Sequence, residues 1–268
     1  MSSSTIGRVA LEELRVKGVA VMRKVIPPHL VKALAAEVDA QRHYLEQAER
    51  AALYRINMFL LKSPGHIGFL CPFNDIFCNK ELLTSEPLID LLEAYLGKDF
   101  YLHEYVVNVS LAAGNTSQEV HVDQEPHPRG TVGVVVNIAL SVTGPENGMT
   151  RLWPGSIGTS PHDSDSLNTY LEPSQPTLYP GDILIRDLSI LHQGVPNPSE
   201  EDRSILGLVM KPAWQEADEK VTGEISQSVW DTWTVQQQRI MRRHRVVPSE
   251  WLCARPYPIP VSAPVLEG

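Results

Sequence analysis

Short apolar segments separated by turn clusters fill the middle of the chain and constrain its fold more than any other feature. Strands are predicted over seven segments rich in β-branched and aromatic residues, namely 99–112, 118–123, 132–142, 149–153, 177–179, 183–190 and 203–211. Clusters such as AAGNTS, GPENG and VPNPSEED separate these segments. This succession predicts a core built mainly from β-strands.

The helical patterns lie outside this strand-rich region. Helices are predicted before it at about 6–17, 27–49 and 85–95, and one amphipathic helix is predicted after it at about 222–243. That order predicts a mainly β fold with flanking helices, of the double-stranded β-helix type (jelly roll, cupin-like). We expect one domain over residues 1–268, with a core at about 12–211 and a C-terminal helix and proline-rich tail at 214–268.

The charge and cysteine content narrow the class of partner. The formal net charge is −9 and no long basic run is present, which argues against a nucleic-acid or anionic-membrane partner. No apolar stretch approaches the length that crosses a bilayer, and the N-terminal residues do not resemble a secretory signal. Three cysteines without a CxxC pair predict a reduced, cytoplasmic setting. Trp230 and Trp233 on the late helix are candidates for a homodimer contact.

His121-Val122-Asp123 and the distant His192 together supply two imidazoles and one carboxylate. Such a set can bind one face of a ferrous ion and leave three positions open, which is the arrangement of non-heme iron oxygenases. Arg203 follows His192 by eleven residues, where it could hold the far carboxylate of 2-oxoglutarate. If these residues meet in space, they predict the reaction class, the metal and the cosubstrate together.

The His-x-Asp triplet alone is weak evidence. With nine histidines and 32 acidic residues, a His-x-Asp or His-x-Glu should occur roughly once by chance. The support comes from the setting, because His121 and His192 each follow strand-like sequence and Arg203 begins another predicted strand. Strands hold ligands more precisely than loops do.

The chain resembles the phytanoyl-CoA dioxygenase family of iron(II)/2-oxoglutarate oxygenases over about residues 12–211. Four ordered matches carry the resemblance: a helix, Gly-Val-Ala-Val, helix opening; Gln118 in QEVHVD; ENGMTRLWPGS at 146–156; and HQGVPNPSEEDR at 192–203. Two positions depart from the family pattern. Ile157 stands where a histidine usually follows Pro-Gly-Ser, and Gly194 stands where a small hydroxyl residue is frequent, so each departure removes a candidate polar contact to the cosubstrate.

The resemblance implies a set of roles. His121, Asp123 and His192 would hold Fe(II), and 2-oxoglutarate would chelate the iron while Arg203 pairs with its far carboxylate. Gln118 and Thr150 are further candidate donors to the cosubstrate. With O₂ as the third reactant, the enzyme would oxidise a small organic molecule and release succinate and CO₂. Because the carboxylate of Asp123 leaves no room for a halide, the resemblance favours hydroxylation, desaturation, epimerisation or demethylation over halogenation.

Several other polar residues could belong to the same site. Asn137 in the apolar run VVVNIAL is expected to face the interior of the barrel. Strand alternation would place His103 and Glu104 on opposite faces of their strand. The composition of the segment 162–165 suits a metal cluster, but its turn-like sequence favours a solvated loop.

Two alternatives to an oxygenase remain open at this point. A binding protein on the same jelly roll would keep the fold and lose turnover. A cupin-type isomerase or hydrolase would also bind a metal, although the additional histidine and glutamate ligands typical of cupins are not found in the sequence. Release of succinate from 2-oxoglutarate distinguishes the oxygenase from both.

Overall fold

The computed structural model describes residues 3–46, 65–159, 171–215 and 223–250. The helices are α1 (Ser3–Lys17), α2 (Pro28–Glu46), α3 (Lys80–Leu83), α4 (Glu86–Leu96), α5 (Gln227–Trp230) and α6 (Val235–Met241). The strands are β1 (Val19–Met22), β2 (His66–Leu70), β3 (Tyr101–Ser110), β4 (Val134–Ala139), β5 (Arg151–Leu152), β6 (Ile183–Asp187), β7 (His192–Gln193), β8 (Arg203–Lys211), β9 (Glu224–Ser226) and β10 (Arg245–Val247). None of the helices in these ranges is both long and apolar enough to cross a membrane.

Six strands form one antiparallel sheet in the order β1-β6-β4-β8-β3-β2. A smaller ladder pairs β5 with β7, and the isolated bridges Leu152–Ser174 and His121–His192 adjoin it. The predicted mainly β architecture with flanking helices is therefore confirmed.

The two faces of the six-stranded sheet have different compositions. Alternate residues of β4 and β8 (Val134, Val136, Ile138, Leu206, Leu208 and Met210) join the main core, which also contains Leu14 of α1, Leu34 of α2 and Leu91 of α4. We call this the helix-side face. The residues between them point to the opposite side, where Val135, Asn137, Arg203, Val209 and Lys211 line a cavity of about 290 Å³. We call this the cavity-side face. Because successive side chains of a strand point to opposite faces of the sheet, the same strands carry core residues on one face and polar groups on the other.

Predicted strands differ in how closely the structure reproduces them. Residues 203–211 form β8 with the predicted bounds, whereas 118–123 and 177–179 contribute only the isolated bridges His121–His192 and Thr143–Leu178. The pairing of 118–123 is irregular because His121 bonds to His192 while the amide of Asp123 donates to the carbonyl of Leu188 at 2.9 Å. A ladder cannot continue through that change of register.

The single helix predicted at 222–243 is wrong. The segment forms β9, α5 and α6, with a turn between the two helices. Thr234 and Gln237 form a reciprocal capping box that starts α6 anew. β9 is drawn into extended pairing with β10, and Arg245 donates to Glu224 at 2.6 Å. This long-range pairing overrides the local helical periodicity. Most of the predicted proline-rich tail lies outside the described residues.

Candidate active site

Reciprocal backbone hydrogen bonds bring His121 and His192 together although they are far apart in the chain. The amide of His121 donates to the carbonyl of His192 at 3.0 Å, and the amide of His192 donates to the carbonyl of His121 at 2.9 Å. Two residues on, the amide of Asp123 bonds to Leu188, and three residues earlier the amide of Gln118 donates to the carbonyl of Gly194 at 2.8 Å. The segment 118–123 is thus held against β7 and the turn that follows β6.

The side chains of His121, Asp123 and His192 converge. One ligand atom from each residue lies within 4.8 Å of the others. Asp123 Oδ1 is 3.5 Å from His192 Nε2 and 4.0 Å from His121 Nε2. Two imidazole nitrogens and one carboxylate oxygen at this spacing can hold one divalent ion such as Fe(II).

The second nitrogen of each imidazole sets its tautomer. His121 Nδ1 lies 2.8 Å from the carbonyl oxygen of Glu119, and His192 Nδ1 lies 3.1 Å from that of Ile190. Because a carbonyl oxygen only accepts, each Nδ1 carries the proton and the Nε2 lone pair is free for a metal. Burial lowers the pKa of His192 to about 4, so this ring is neutral at pH 7. The donor set therefore fits a metal ion.

Asp123 is held by an arginine that the sequence reasoning missed. Arg186 of β6 donates from Nη2 to Asp123 Oδ2 at 2.6 Å, and the Arg186 side chain is only 11% exposed. Burial alone would raise the pKa of Asp123, but the positive charge of Arg186 and the hydrogen bond that it donates hold that pKa well below the usual range. Asp123 is consequently a carboxylate at neutral pH, with Oδ2 taken and Oδ1 turned towards the histidines.

Arg203 lies in the same cavity with its guanidinium almost fully buried. Its Nη2 donates to Ser110 Oγ at 2.9 Å and to the carbonyl of Gly148, and its Nε has no partner among the described residues. Burial lowers the pKa of Arg203 to about 10, which leaves it charged at neutral pH. A buried cation with an unused donor in a cavity suits a carboxylate ligand.

Two sequence motifs act as the support for Arg203. Gly148 accepts from Arg203 in a left-handed conformation (φ +79°), where a Cβ would lie 3.1 Å from the carbonyl oxygen of Pro196. Asn197 donates to the carbonyls of Ser110 and Glu201 at 3.0 and 2.8 Å. The Glu-Asn-Gly and Asn-x-Ser matches thus fix the backbone around the guanidinium.

Gln118 and Gly194 form a complementary pair. Gly194 donates its amide to Gln118 Oε1 at 3.2 Å, and a Cβ at position 194 would lie 2.6 Å from that oxygen. The carboxamide of Gln118 therefore fills the space that a side chain at position 194 would take. Both residues line the cavity, as does the predicted Thr150.

The other departure, Ile157, lies away from the site. It is 41% exposed, does not line the cavity, and faces Gly18, where an added Cβ would come within 3.0 Å of Ile157 Cδ1. The expectation that its side chain costs the cosubstrate a contact is therefore wrong.

Among the remaining candidates, Asn137 lines the cavity as expected. His103 and Glu104 both line it as well, because an irregularity between Leu102 and Glu104 interrupts the alternation of β3. The expected opposite placement of this pair is wrong for that reason. The candidate cluster at 162–165 lies outside the described residues.

The cavity contains two cations that sequence reasoning did not select, Arg186 and Lys211. Lys211 donates to Gln124 Oε1 at 3.2 Å. The available signal was a charge inside an apolar strand, ILIRDL at 183–188, where Leu184, Arg186 and Leu188 share one face.

The fold and the site together define a metal-binding jelly-roll protein. The sequence model of the phytanoyl-CoA dioxygenase family matches residues 14–205. The chain belongs to this family and is a non-heme iron, 2-oxoglutarate-dependent enzyme. Its cofactors are Fe(II) and 2-oxoglutarate, as predicted.

Individual relatives agree with this assignment. The chain is 27% identical over 221 residues to dioxygenase trt7 of Aspergillus terreus, covering 76% of this chain and 72% of the relative. Among solved structures it resembles AviO1 of Streptomyces viridochromogenes, with a TM-score of 0.57 at 18% identity over 76% of this chain and 94% of that one. It also resembles SnoN, a non-heme α-ketoglutarate-dependent epimerase from nogalamycin biosynthesis, with a TM-score of 0.58 at 16% identity over 78% of this chain and 84% of that one. The expected double-stranded β-helix fold is confirmed.

Proposed function

We propose that this enzyme oxidises a small organic metabolite, by hydroxylation or by a related hydrogen-removing reaction, with release of succinate and CO₂. The observation that carries the proposal is the convergence of His121, Asp123 and His192, with both Nε2 atoms turned to Asp123 Oδ1. Fe(II) and 2-oxoglutarate, when bound, supply the means to couple O₂ reduction to removal of hydrogen from the substrate.

His121, Asp123 and His192 are the proposed metal ligands. Their backbone bonds and tautomers are set within the protein, so little reorganisation is needed when a metal binds. Arg203 is the proposed partner of the far carboxylate of 2-oxoglutarate, since its buried Nε lacks a partner among the residues that the structure describes. Gln118 and Thr150 line the same cavity and are proposed as further donors to the cosubstrate.

Part of the cavity wall is apolar. Val135, Leu188, Ile205 and Val209 contribute apolar surface between the polar residues. A metabolite that binds beside the metal can place apolar surface against these residues.

One of the similar structures favours a substrate from secondary metabolism, because SnoN is named for nogalamycin biosynthesis. We place the substrate of this enzyme among specialised metabolites. Hydroxylation is the leading reaction, and epimerisation is the second candidate because SnoN is an epimerase.

The direct test is 2-oxoglutarate turnover. The purified protein with Fe(II), ascorbate and 2-oxoglutarate should release succinate slowly by itself and faster when a metabolite library contains the substrate. His121→Ala should abolish succinate release, because the metal loses a ligand. Succinate release that persists at the wild-type rate in His121→Ala would refute the proposed site.

A further inference from the structure

Arg186 has one donor occupied and another that is buried without a partner in the described part of the chain. Nη2 donates to Asp123 Oδ2 at 2.6 Å, whereas Nη1 is inaccessible to solvent and has no hydrogen-bond partner among the described residues. The residue as a whole is 9% exposed. A buried guanidinium nitrogen without an acceptor is costly, and such groups in native structures call for an explanation.

The neighbours of Arg186 on the sheet do not supply an acceptor side chain. In the register of the sheet Arg186 lies opposite Val135 of β4 on one side and Val19 of β1 on the other. Leu188 follows it on the same face of the chain. Arg186 lines the cavity, so the space in front of it belongs to whatever molecule the cavity binds.

Arg186 and Arg203 lie towards opposite ends of this cavity. Val135 pairs with both Arg186 of β6 and Val209 of β8, so Arg186 is level with Val209. Arg203 is six residues earlier on β8, a displacement of about 20 Å along the strand. Both side chains line the same cavity, and a dicarboxylate offers an acceptor to each.

We propose that Arg186 is a positioning residue with two tasks: Nη2 holds Asp123 so that only Oδ1 faces the metal, and Nη1 donates to the carboxylate of 2-oxoglutarate that Arg203 does not bind. This inference rests on the proposed function. A guanidinium can serve two acceptors at once because its donors form a fixed planar fork. A lysine in its place would keep the charge but not this paired geometry.

The two tasks can be separated by binding measurements on metal-loaded protein without turnover. Affinity for Mn(II) and then affinity of the Mn(II)-loaded protein for 2-oxoglutarate are measured by calorimetry for wild type, Arg186→Lys and Arg186→Met. Arg186→Met should weaken Mn(II) binding about 10- to 100-fold, as loss of a partner of a metal ligand does. Arg186→Lys should recover Mn(II) affinity to within about 3-fold of wild type. It should still bind 2-oxoglutarate about 10-fold more weakly, because lysine has one donor nitrogen where arginine has two terminal ones.

Arg23→Gln is the matched control. Arg23 pairs with the buried Asp182 at 2.7 Å, and neither residue lines the cavity. This variant should lose stability but bind Mn(II) and 2-oxoglutarate like wild type. Circular dichroism establishes that each variant is folded.

The outcomes distinguish this inference from the proposed function. If wild type binds neither Mn(II) nor 2-oxoglutarate, the proposed function fails. If wild type binds both and Arg186→Met retains wild-type Mn(II) affinity, the positioning of Asp123 is overturned. If Arg186→Lys binds 2-oxoglutarate as tightly as wild type does, Nη1 does not serve the cosubstrate.

Discussion

The same strands form both faces of the six-stranded sheet, but one face packs in the core and the other lines the cavity. On the helix-side face, Leu206, Leu208 and Met210 of β8 are buried in a continuous apolar core. On the cavity-side face of the same strand, Arg203 and Lys211 flank a run that includes Gly207, with Asn137 of β4 opposite that glycine. One strand therefore carries both residues that pack in the core and charged residues that line the cavity.

Side chains on the two faces are buried for different physical reasons. Leu208 is buried because packing removes apolar surface from water. Arg203 is equally buried, yet its Nε has no partner in the described part of the chain. A buried apolar side chain is complete in the folded protein, whereas a buried charge with an unused donor is completed by a ligand.

The largest expected effect on stability comes from the helix-side face. Leu208→Ala should lower the free energy of unfolding by about 2–5 kcal/mol, because it removes buried methyl groups and leaves a cavity. The folded variant should bind Mn(II) and 2-oxoglutarate with wild-type affinity. Urea unfolding followed by circular dichroism measures the first quantity, and calorimetry on the folded variant measures the second. A large loss of cosubstrate affinity in the folded variant would show that packing on the helix-side face and binding on the cavity-side face are not independent.

Arg203→Met on the cavity-side face should weaken the binding of 2-oxoglutarate and leave the stability of the protein nearly unchanged. The apparent KM for 2-oxoglutarate should rise about 100-fold, as expected for the loss of a paired, charge-assisted contact, while Mn(II) affinity stays within about 3-fold. The free energy of unfolding should change by less than about 1.5 kcal/mol, because an apolar side chain of similar length relieves the cost of burying a charge. A wild-type KM for 2-oxoglutarate would remove Arg203 from its proposed role.

A smaller effect is expected where Gln118 meets Gly194. Gly194→Ser should raise the KM for 2-oxoglutarate by about 5-fold. In the wild type the amide of residue 194 donates to the carboxamide oxygen of Gln118, and the new side chain would displace that carboxamide. The double variant Gln118→Ala, Gly194→Ser removes the clash and restores a hydroxyl typical of the family. Its KM should lie closer to wild type than that of Gly194→Ser. Equal values for the single and double variants would contradict this complementarity.

Much of the fold and site follows from local sequence patterns. The bounds of β8 match their prediction because an apolar run, a preceding turn cluster and a following proline all agree there. The meeting of His121 with His192 was inferred from residue types and flanking strands, and the structure shows the reciprocal backbone bonds between them. Patterns of two-residue period and of turn chemistry are local, so a sequence reveals them.

Features that depend on distant partners could not be inferred in the same way. Arg186 was missed because its role is set by Asp123, which lies 63 residues earlier in the chain and 2.6 Å away in space. The start of the predicted helix at 222–243 is extended instead because β9 pairs with β10. The irregularity in β3 that turns both His103 and Glu104 to the cavity has no local signature that we can identify.

The most direct test of the central claim is a crystal structure grown anaerobically with Mn(II) and 2-oxoglutarate. We expect one metal ion per chain, bound by Nε2 of His121, Nε2 of His192 and Oδ1 of Asp123, with the far carboxylate of 2-oxoglutarate on Arg203. A metal ion bound elsewhere, or a His192 ring that does not contact it, would contradict the account.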